Sequence, residues 1–286
     1  MWNVAKVPFF LLSAILFLMA APLGAEQQPA PDVAQDAQAA QKKQDLGSWW
    51  LRNSLKYDPM PREFLYHIEA KYGFIKETGN VEKETHNVHA LLAIRKTRFT
   101  NYLEYSLTKE DWAAEKRKVQ DLHESVRMDL AKKLYGQVGW IWTIDEDRFI
   151  DDRSTYYGGF GCDLIDSKKY LLSVFGSLGR EELDYMPGVS FEGIPAAGSE
   201  TSTLYYLDQR FKWFITESIS FSQRYEFVGN LDTSSDYRST LNLGIEFAIN
   251  THLALRLDYQ QKYYNAPPDY VKDRDEKQGL LIQISY

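Results

Sequence analysis

From about residue 62 to its last residue the chain alternates apolar and polar side chains with a period of two, one stretch after another. In "LNLGIEFAI", Leu241, Leu243, Ile245, Phe247 and Ile249 fall on one face and Asn242, Gly244, Glu246 and Ala248 on the other. "HLALRLDYQ" sets Leu253, Leu255, Leu257 and Tyr259 against Ala254, Arg256, Asp258 and Gln260. "SISFSQRYEF" repeats the split, with Ile219, Phe221, Tyr225 and Phe227 opposed to Ser220, Ser222, Arg224 and Glu226. A helix brings apolar residues back every three or four positions, whereas a recurrence of two belongs to strands whose two faces meet different surroundings. The pattern predicts an all-β fold.

Twelve such stretches are centred near residues 69, 91, 103, 127, 140, 159, 176, 207, 223, 243, 258 and 281. Short links fall at 96–98, 133–136, 166–169, 216–217 and 250–251, and longer polar loops at 77–84, 109–119, 146–153, 185–200, 229–236 and 265–276. A soluble β-sandwich has no reason to alternate short and long links so regularly. An up-and-down transmembrane barrel does, with short periplasmic turns and longer external loops. In lipid every backbone N–H and C=O must find a partner within the protein, which a closed barrel achieves and an open sheet does not. The expected fold is therefore an antiparallel up-and-down transmembrane β-barrel of about twelve strands over residues 62–286.

The start of the chain reads differently. Lys6 precedes the apolar run "VPFFLLSAILFLMAA", and the small-residue site "PLGA" ends at Ala25, the order of a secretory signal peptide over residues 1–25. The run is short for a span of ~20 residues, and no Cys follows the site to carry a lipid anchor. Residues 26–47, rich in Gln, Ala and Pro, read as a disordered periplasmic linker, because they cannot bury enough surface to offset chain entropy. Residues 48–61 form a short pre-barrel segment that carries Trp49 and Trp50. Removing residues 1–25 takes the net charge from -7 to -8, since Lys6 is the only charge lost. An acidic exported protein is a poor partner for nucleic acid. A mean hydropathy of -0.43 is too polar for a bundle of membrane helices. Cys162 is the only cysteine, so an internal disulfide and a Cys-based metal cluster are both excluded.

The final stretch, "GLLIQISY", puts Leu280, Ile282, Ile284 and Tyr286 on one side and Leu281, Gln283 and Ser285 on the other. An amphipathic strand with a last aromatic ring resembles the signal read by the outer-membrane barrel assembly machinery. The expected partners are that machinery, periplasmic chaperones, outer-membrane lipid and lipopolysaccharide, and the protein is expected to be a monomer. Tyr66, Tyr72, Tyr105, Tyr156, Tyr170, Tyr225, Tyr259 and Tyr263 lie near strand ends, where an interfacial aromatic girdle would be.

The blocks "YYGGFGCDLIDSKKYLLSVFGSLGREELDY", "LDQRFKWFITESISFSQRYEF" and "SSDYRSTLNLGIEFAINTHLALRLDYQQKYYNAPP", with the closing strand, resemble the YdiY-like family of salt-induced outer-membrane proteins, a domain of unknown function. The resemblance covers roughly residues 62–286 and is clearest after Tyr156. It implies a Gram-negative outer-membrane barrel with a link to salt or osmotic conditions. It supplies no catalytic residue to carry over.

If the apolar faces meet lipid, the opposite faces line the lumen. Those carry Glu69, Lys71, Arg95, Arg127, Asp129, Asp208, Arg210, Arg224, Glu226, Glu246, Arg256 and Asp258. As a pore, opposed acidic and basic rows would order water and select small polar solutes. As a plug, the same residues would pair across the lumen and seal it. Barrels of about eight strands are filled by side chains and those of 16–18 leave a channel, so twelve strands lie between. A narrow channel for ions or small polar solutes is the leading expectation, with a sealed structural barrel or a loop-mediated binding protein as alternatives. A lipid hydrolase is a weaker one: His123 and Ser125 in "HES" share a strand face, but so do Arg127 and Asp129, which points that face to the lumen. His86 and His89 fall on opposite faces of a strand and make a poor metal site. No enzyme activity, cofactor or metal is expected.

Overall fold

The computed structural model describes residues 48–57, 60, 62–77, 83–112, 116–186, 199–265 and 273–286. The signal-peptide and linker assignments at 1–25 and 26–47 lie outside the described residues, as do most of the expected loops at 77–84, 185–200 and 265–276. A unit boundary falls between Arg52 and Asn53, and Asn53–Tyr286 form one compact unit. The described residues before that boundary hold a 3-10 turn at Trp49–Leu51, in which the rings of Trp49 and Trp50 meet edge to face at 6.0 Å.

The unit Asn53–Tyr286 holds twelve strands: β1 (Leu65–Glu77), β2 (Lys83–Lys96), β3 (Phe99–Trp112), β4 (Lys116–Asp129), β5 (Leu134–Asp145), β6 (Ile150–Asp166), β7 (Tyr170–Tyr185), β8 (Ser199–Phe214), β9 (Ile219–Asn230), β10 (Tyr237–Ala248), β11 (Leu253–Tyr264) and β12 (Arg274–Ser285). Each pairs antiparallel with its neighbours in sequence, and β12 returns to β1, so the sheet closes. The fold is that of an outer-membrane β-barrel.

Period two explains which face goes where. On β1, Leu65 and His67 are buried while Tyr66, Ile68, Tyr72 and Phe74 are exposed. Around the barrel Phe160, Leu178, Leu207, Leu257 and Ile282 are also exposed, Phe160 by 72 %. So much outward apolar surface is untenable in water and is what a lipid-facing wall presents.

The β1–β12 closure runs in register from Glu69↔Ser285 to Tyr72↔Ile282. Tyr286 extends it: its N–H donates to Ile68 O and its O accepts from Ile68 N, both at 2.8 Å. The Tyr286 ring stacks on Tyr66 (6.2 Å) and His252 (5.6 Å).

Strand ends depart from expectation. β3 runs to Trp112 and β4 starts at Lys116, so the expected loop at 109–119 is mostly strand, and β6 starts at Ile150, so the second half of the expected loop at 146–153 is strand as well. The apolar period stops there but the backbone ladder does not: β3 and β4 stay paired out to Asp111↔Lys116, and Lys83 Nζ on β2 lies 2.9 Å from Glu110 on β3. The short link expected at 133–136 falls instead at 130–133, where Leu130 N and Ala131 N donate to Leu134 O at 2.9 and 3.0 Å. At Gly159, where β6 and β7 approach closely, a Cβ would stand 2.1 Å from Gly176 O and 2.6 Å from Ser177 Cα.

Candidate functional site

The lumen is crossed by side chains at three levels. The end carrying the short links is the turn end, and the other the loop end. At the turn end Arg127, on β4, donates from Nε to Asp129 Oδ1 at 2.7 Å and from Nη2 to Asp163 Oδ2 at 2.6 Å. Its guanidinium lies 3.8 Å from the Tyr135 ring centre. A planar fork that meets two carboxylates and one ring is what Arg, and not Lys, can do. The other oxygen of Asp129 accepts from Ser54 N at 2.7 Å, Asn53 Nδ2 donates to Ala131 O at 2.8 Å, and Lys56 Nζ lies 3.0 Å from Asp166. Residues 53–56 are thereby fastened to the turn ends of β4 and β6. Arg95, on β2, is buried with its Nε on Thr100 Oγ1 at 2.7 Å.

Arg224, on β9, organises the middle level. It reaches Asp208 at 3.2 Å, Glu226 at 3.0 Å and Glu104 at 3.6 Å. Arg210 Nε donates to the same Asp208 at 2.8 Å, and the Tyr206 hydroxyl donates to Glu226 at 2.5 Å. In the closed strand order β9 and β3 stand diametrically opposite, so the Arg224–Glu104 contact spans the lumen. On the other side Lys71 pairs with Glu69 at 2.7 Å, and Gln283 Nε2 donates to both Glu69 and Glu246 at 3.2 Å. Arg256 donates to Asp258 at 2.5 Å and to Ser222 Oγ at 3.0 Å.

Tyr135, Tyr157, Phe175 and Tyr206 form a buried cluster that fills the β5–β8 side, with Ile141 and Val228 packed against it. His123 Nε2 shares a 2.6 Å hydrogen bond with Tyr157 Oη. His123 is therefore engaged with the aromatic cluster, on an inward face with the buried Ser125.

At the loop end Arg238 is bound by both oxygens of Glu181, one at 3.1 Å, and Glu181 also accepts from Thr155 Oγ1 at 2.8 Å. The 3-10 turn Glu146–Arg148 sends Arg148 across to Asp275 at 2.5 Å, with its guanidinium 3.4 Å from the Tyr264 ring centre. Asp147 in this turn is held above the usual carboxylate range, by burial first and by neighbouring Asp145 next.

Between the middle and loop-end levels, on the β11–β12–β1–β4 side, a cavity of about 160 Å³ remains. Lys71, His89, Asp121, Asp258, Lys262 and Lys277 supply its charged and titratable lining. The lumen is thus asymmetric, aromatic on one side and polar and hollow on the other.

All twelve residues assigned to the polar faces project inward, and ion pairs join eleven of them to one another: Glu69 with Lys71, Arg127 with Asp129, Arg256 with Asp258 and Glu246, Arg210 with Asp208, and Arg224 with Asp208 and Glu226. Arg95 takes Thr100 instead. Sequence reasoning missed Glu104, Asp163, Glu181, Arg238 and Arg148. Glu104 was within reach, since it alternates with Tyr102 and Ser106 on the polar face of its strand. Arg148 was not, since it stands in a link and period two says nothing there. His86 faces outward, accepting or donating at 3.0 Å with Tyr72 Oη, while His89 faces the lumen cavity. Among the described residues no group of three or more His, Cys, Asp or Glu is arranged to hold a metal.

The family model described as "Protein of unknown function, DUF481" matches residues 70–282. The chain belongs to this family. A curated relative, "Uncharacterized protein YdiY" of Escherichia coli (strain K12), is 24 % identical over 148 residues, covering 52 % of this chain and 53 % of that one. The chain thus spans about half the length of that relative. Similar solved structures include the NanC porin (7 % identity, TM-score 0.44, 77 % of this chain and 98 % of that one). The translocator domain of the autotransporter NalP from Neisseria meningitidis is another (12 % identity, TM-score 0.44, 88 % and 97 %).

Proposed function

We propose that this DUF481 barrel is a narrow, gated passage for ions and small polar solutes across the outer membrane, with residues 53–56 on the periplasmic side. The observation that carries the reading is the Arg224–Glu104 contact, 3.6 Å across opposite strands, beside a polar cavity that it leaves free on the β11–β4 side. A charged constriction in a low-dielectric wall selects by size and charge. The reading is not enzymatic, since His123, the histidine that shares a strand face with Ser125, is engaged by Tyr157. By sequence resemblance the proposal extends to tolerance of salt or osmotic stress, and by strand architecture to insertion as a monomer through the barrel assembly machinery.

A second reading, a sealed structural barrel, draws support from the same cross-lumen pairs together with the Asp129–Ser54 bond at the turn end. Liposome swelling separates the two. Proteoliposomes should swell in glycerol and in monosaccharides and not in a trisaccharide; absence of swelling in every solute, from protein shown to be folded by heat-modifiable mobility, would favour the sealed barrel.

A further inference from the structure

We infer that the loop-end cavity is a binding site for a small hydroxylated organic monoanion, such as the carboxylate of a sugar acid. The inference rests on reading the barrel as accessible to solutes from its loop end, and it names the class of solute that end takes.

The charge balance of the cavity is specific. Of its carboxylates, Asp258 is paired with Arg256 at 2.5 Å, whereas Asp121 accepts from two hydroxyls, Thr143 Oγ1 at 2.7 Å and Ser106 Oγ at 3.2 Å, and keeps its charge. Lys71 is spent on Glu69 at 2.7 Å. Asp275 stands opposite Lys262 in the β11–β12 register but is held by Arg148 at 2.5 Å. Among the described residues no carboxylate stands within ion-pair distance of the ammonium groups of Lys262 and Lys277, although Asp121 and Asp145 attract Lys262 and Asp147 attracts Lys277. The two lysines lie on adjacent strands, Lys277 opposite Gln260 and Lys262 two residues further along, a diagonal of roughly 7–8 Å between backbones. Flexible lysine stems close that gap easily, so one carboxylate can bridge both heads with charge-assisted hydrogen bonds.

The remaining wall describes the rest of the ligand. Thr108 and Gln260 offer a hydroxyl and an amide, and His89 Nδ1 is a buried ring nitrogen with no hydrogen-bond partner among the described residues. Val119 and Leu281 supply an apolar patch. Hydrogen-bonding groups on one side and apolar surface on another suit a molecule with hydroxyls and a C–H face. At about 160 Å³ the cavity falls below the ~300–1,000 Å³ of sites that take drug-sized ligands, which restricts it to small solutes. With Lys71 neutralised by Glu69 and Asp258 by Arg256, Lys262 and Lys277 stand against Asp121 and leave one positive charge in the lining, so a monoanion balances it and a dianion exceeds it.

The test is isothermal titration of the full chain, refolded in detergent, with sodium gluconate, with glucose as the neutral control. Gluconate should bind saturably and glucose at least about tenfold more weakly, the factor that one charge-assisted contact confers. Lys262→Gln with Lys277→Gln should lower gluconate affinity about tenfold or more, and Lys277→Gln alone should lower it in part, with heat-modifiable mobility retained. Equal affinity for gluconate and glucose, or undiminished gluconate affinity in the folded double variant, would overturn the assignment. Failure of the site is distinguishable from failure of the passage: gluconate binding without solute flux retains the site and loses the pore, while flux without gluconate binding loses the site alone.

Discussion

Arg224→Gln and Glu104→Gln break the same cross-lumen contact but should differ sharply in cost. The middle cluster sets Arg210 and Arg224 against Glu104, Asp208 and Glu226, a formal net charge of -1. Arg224→Gln takes it to -2 and withdraws the partner of three carboxylates at 3.0–3.6 Å. Stranding buried charge costs about 3–5 kcal/mol. The side chains of Arg224 and Glu104 are each 21 % exposed, so some water reaches them and the lower end, about 3 kcal/mol, applies. Glu104→Gln takes the cluster to neutrality, and Arg224 keeps Asp208 and Glu226, so the expected cost is below about 1 kcal/mol. Urea unfolding in detergent micelles, followed by tryptophan fluorescence, reads the difference. With m near ~2–3 kcal/mol per molar, Arg224→Gln should unfold at about 1 M less urea and Glu104→Gln near the parent midpoint. Equal midpoints for the two variants would refute the charge balance and the partnership it describes.

Tyr286→Ala keeps the backbone bonds to Ile68 but loses the rings stacked on Tyr66 and His252; at ~0.5–1.5 kcal/mol per aromatic pair the barrel should lose about 1–3 kcal/mol, and an unchanged urea midpoint would show that the ring does not hold the closure. Gly159→Ala forces a Cβ against backbone at 2.1 Å, whereas Gly158→Ala finds nothing nearer than Val138 at 3.4 Å; the first should reduce folded yield with a cost of ~1–3 kcal/mol or more and the second should not, and similar heat-modifiable yields would contradict the close β6–β7 approach. Asp129→Asn weakens the acceptor for Ser54 N, so residues 53–57 should become faster to exchange amide hydrogen by mass spectrometry, and unchanged protection would mean that other contacts hold the segment.

Much of the barrel was legible because period two assigns every strand residue to a face. Leu241, Leu243 and Ile245 had to lie together whatever the partner, and the alternation of link lengths ordered the strands around the ring. The same logic sends Glu69, Arg127 and Arg256 inward. It assigns a side, not a contact across 12 strands, so the meeting of Arg224 with Glu104 was beyond it. Charged residues such as Lys109 and Lys118 ended the apolar pattern and read as loop, although backbone pairing continues through them. The aromatic cluster was hidden too: Tyr135, Tyr157 and Tyr206 were assigned no role, and period two does not say that inward rings from neighbouring strands will meet. The cavity is what these fillings leave over, on the side of the lumen away from the Tyr135–Tyr157–Phe175–Tyr206 cluster.

Single-channel current of the refolded full chain in a planar bilayer, compared with the Glu104→Gln variant, tests the central claim most directly. The account predicts small discrete steps in the parent and larger or longer openings in the variant, because the tie across the lumen is removed while Arg224 stays bound to Asp208 and Glu226. Silence from both, with folding shown by heat-modifiable mobility, would contradict a gated passage.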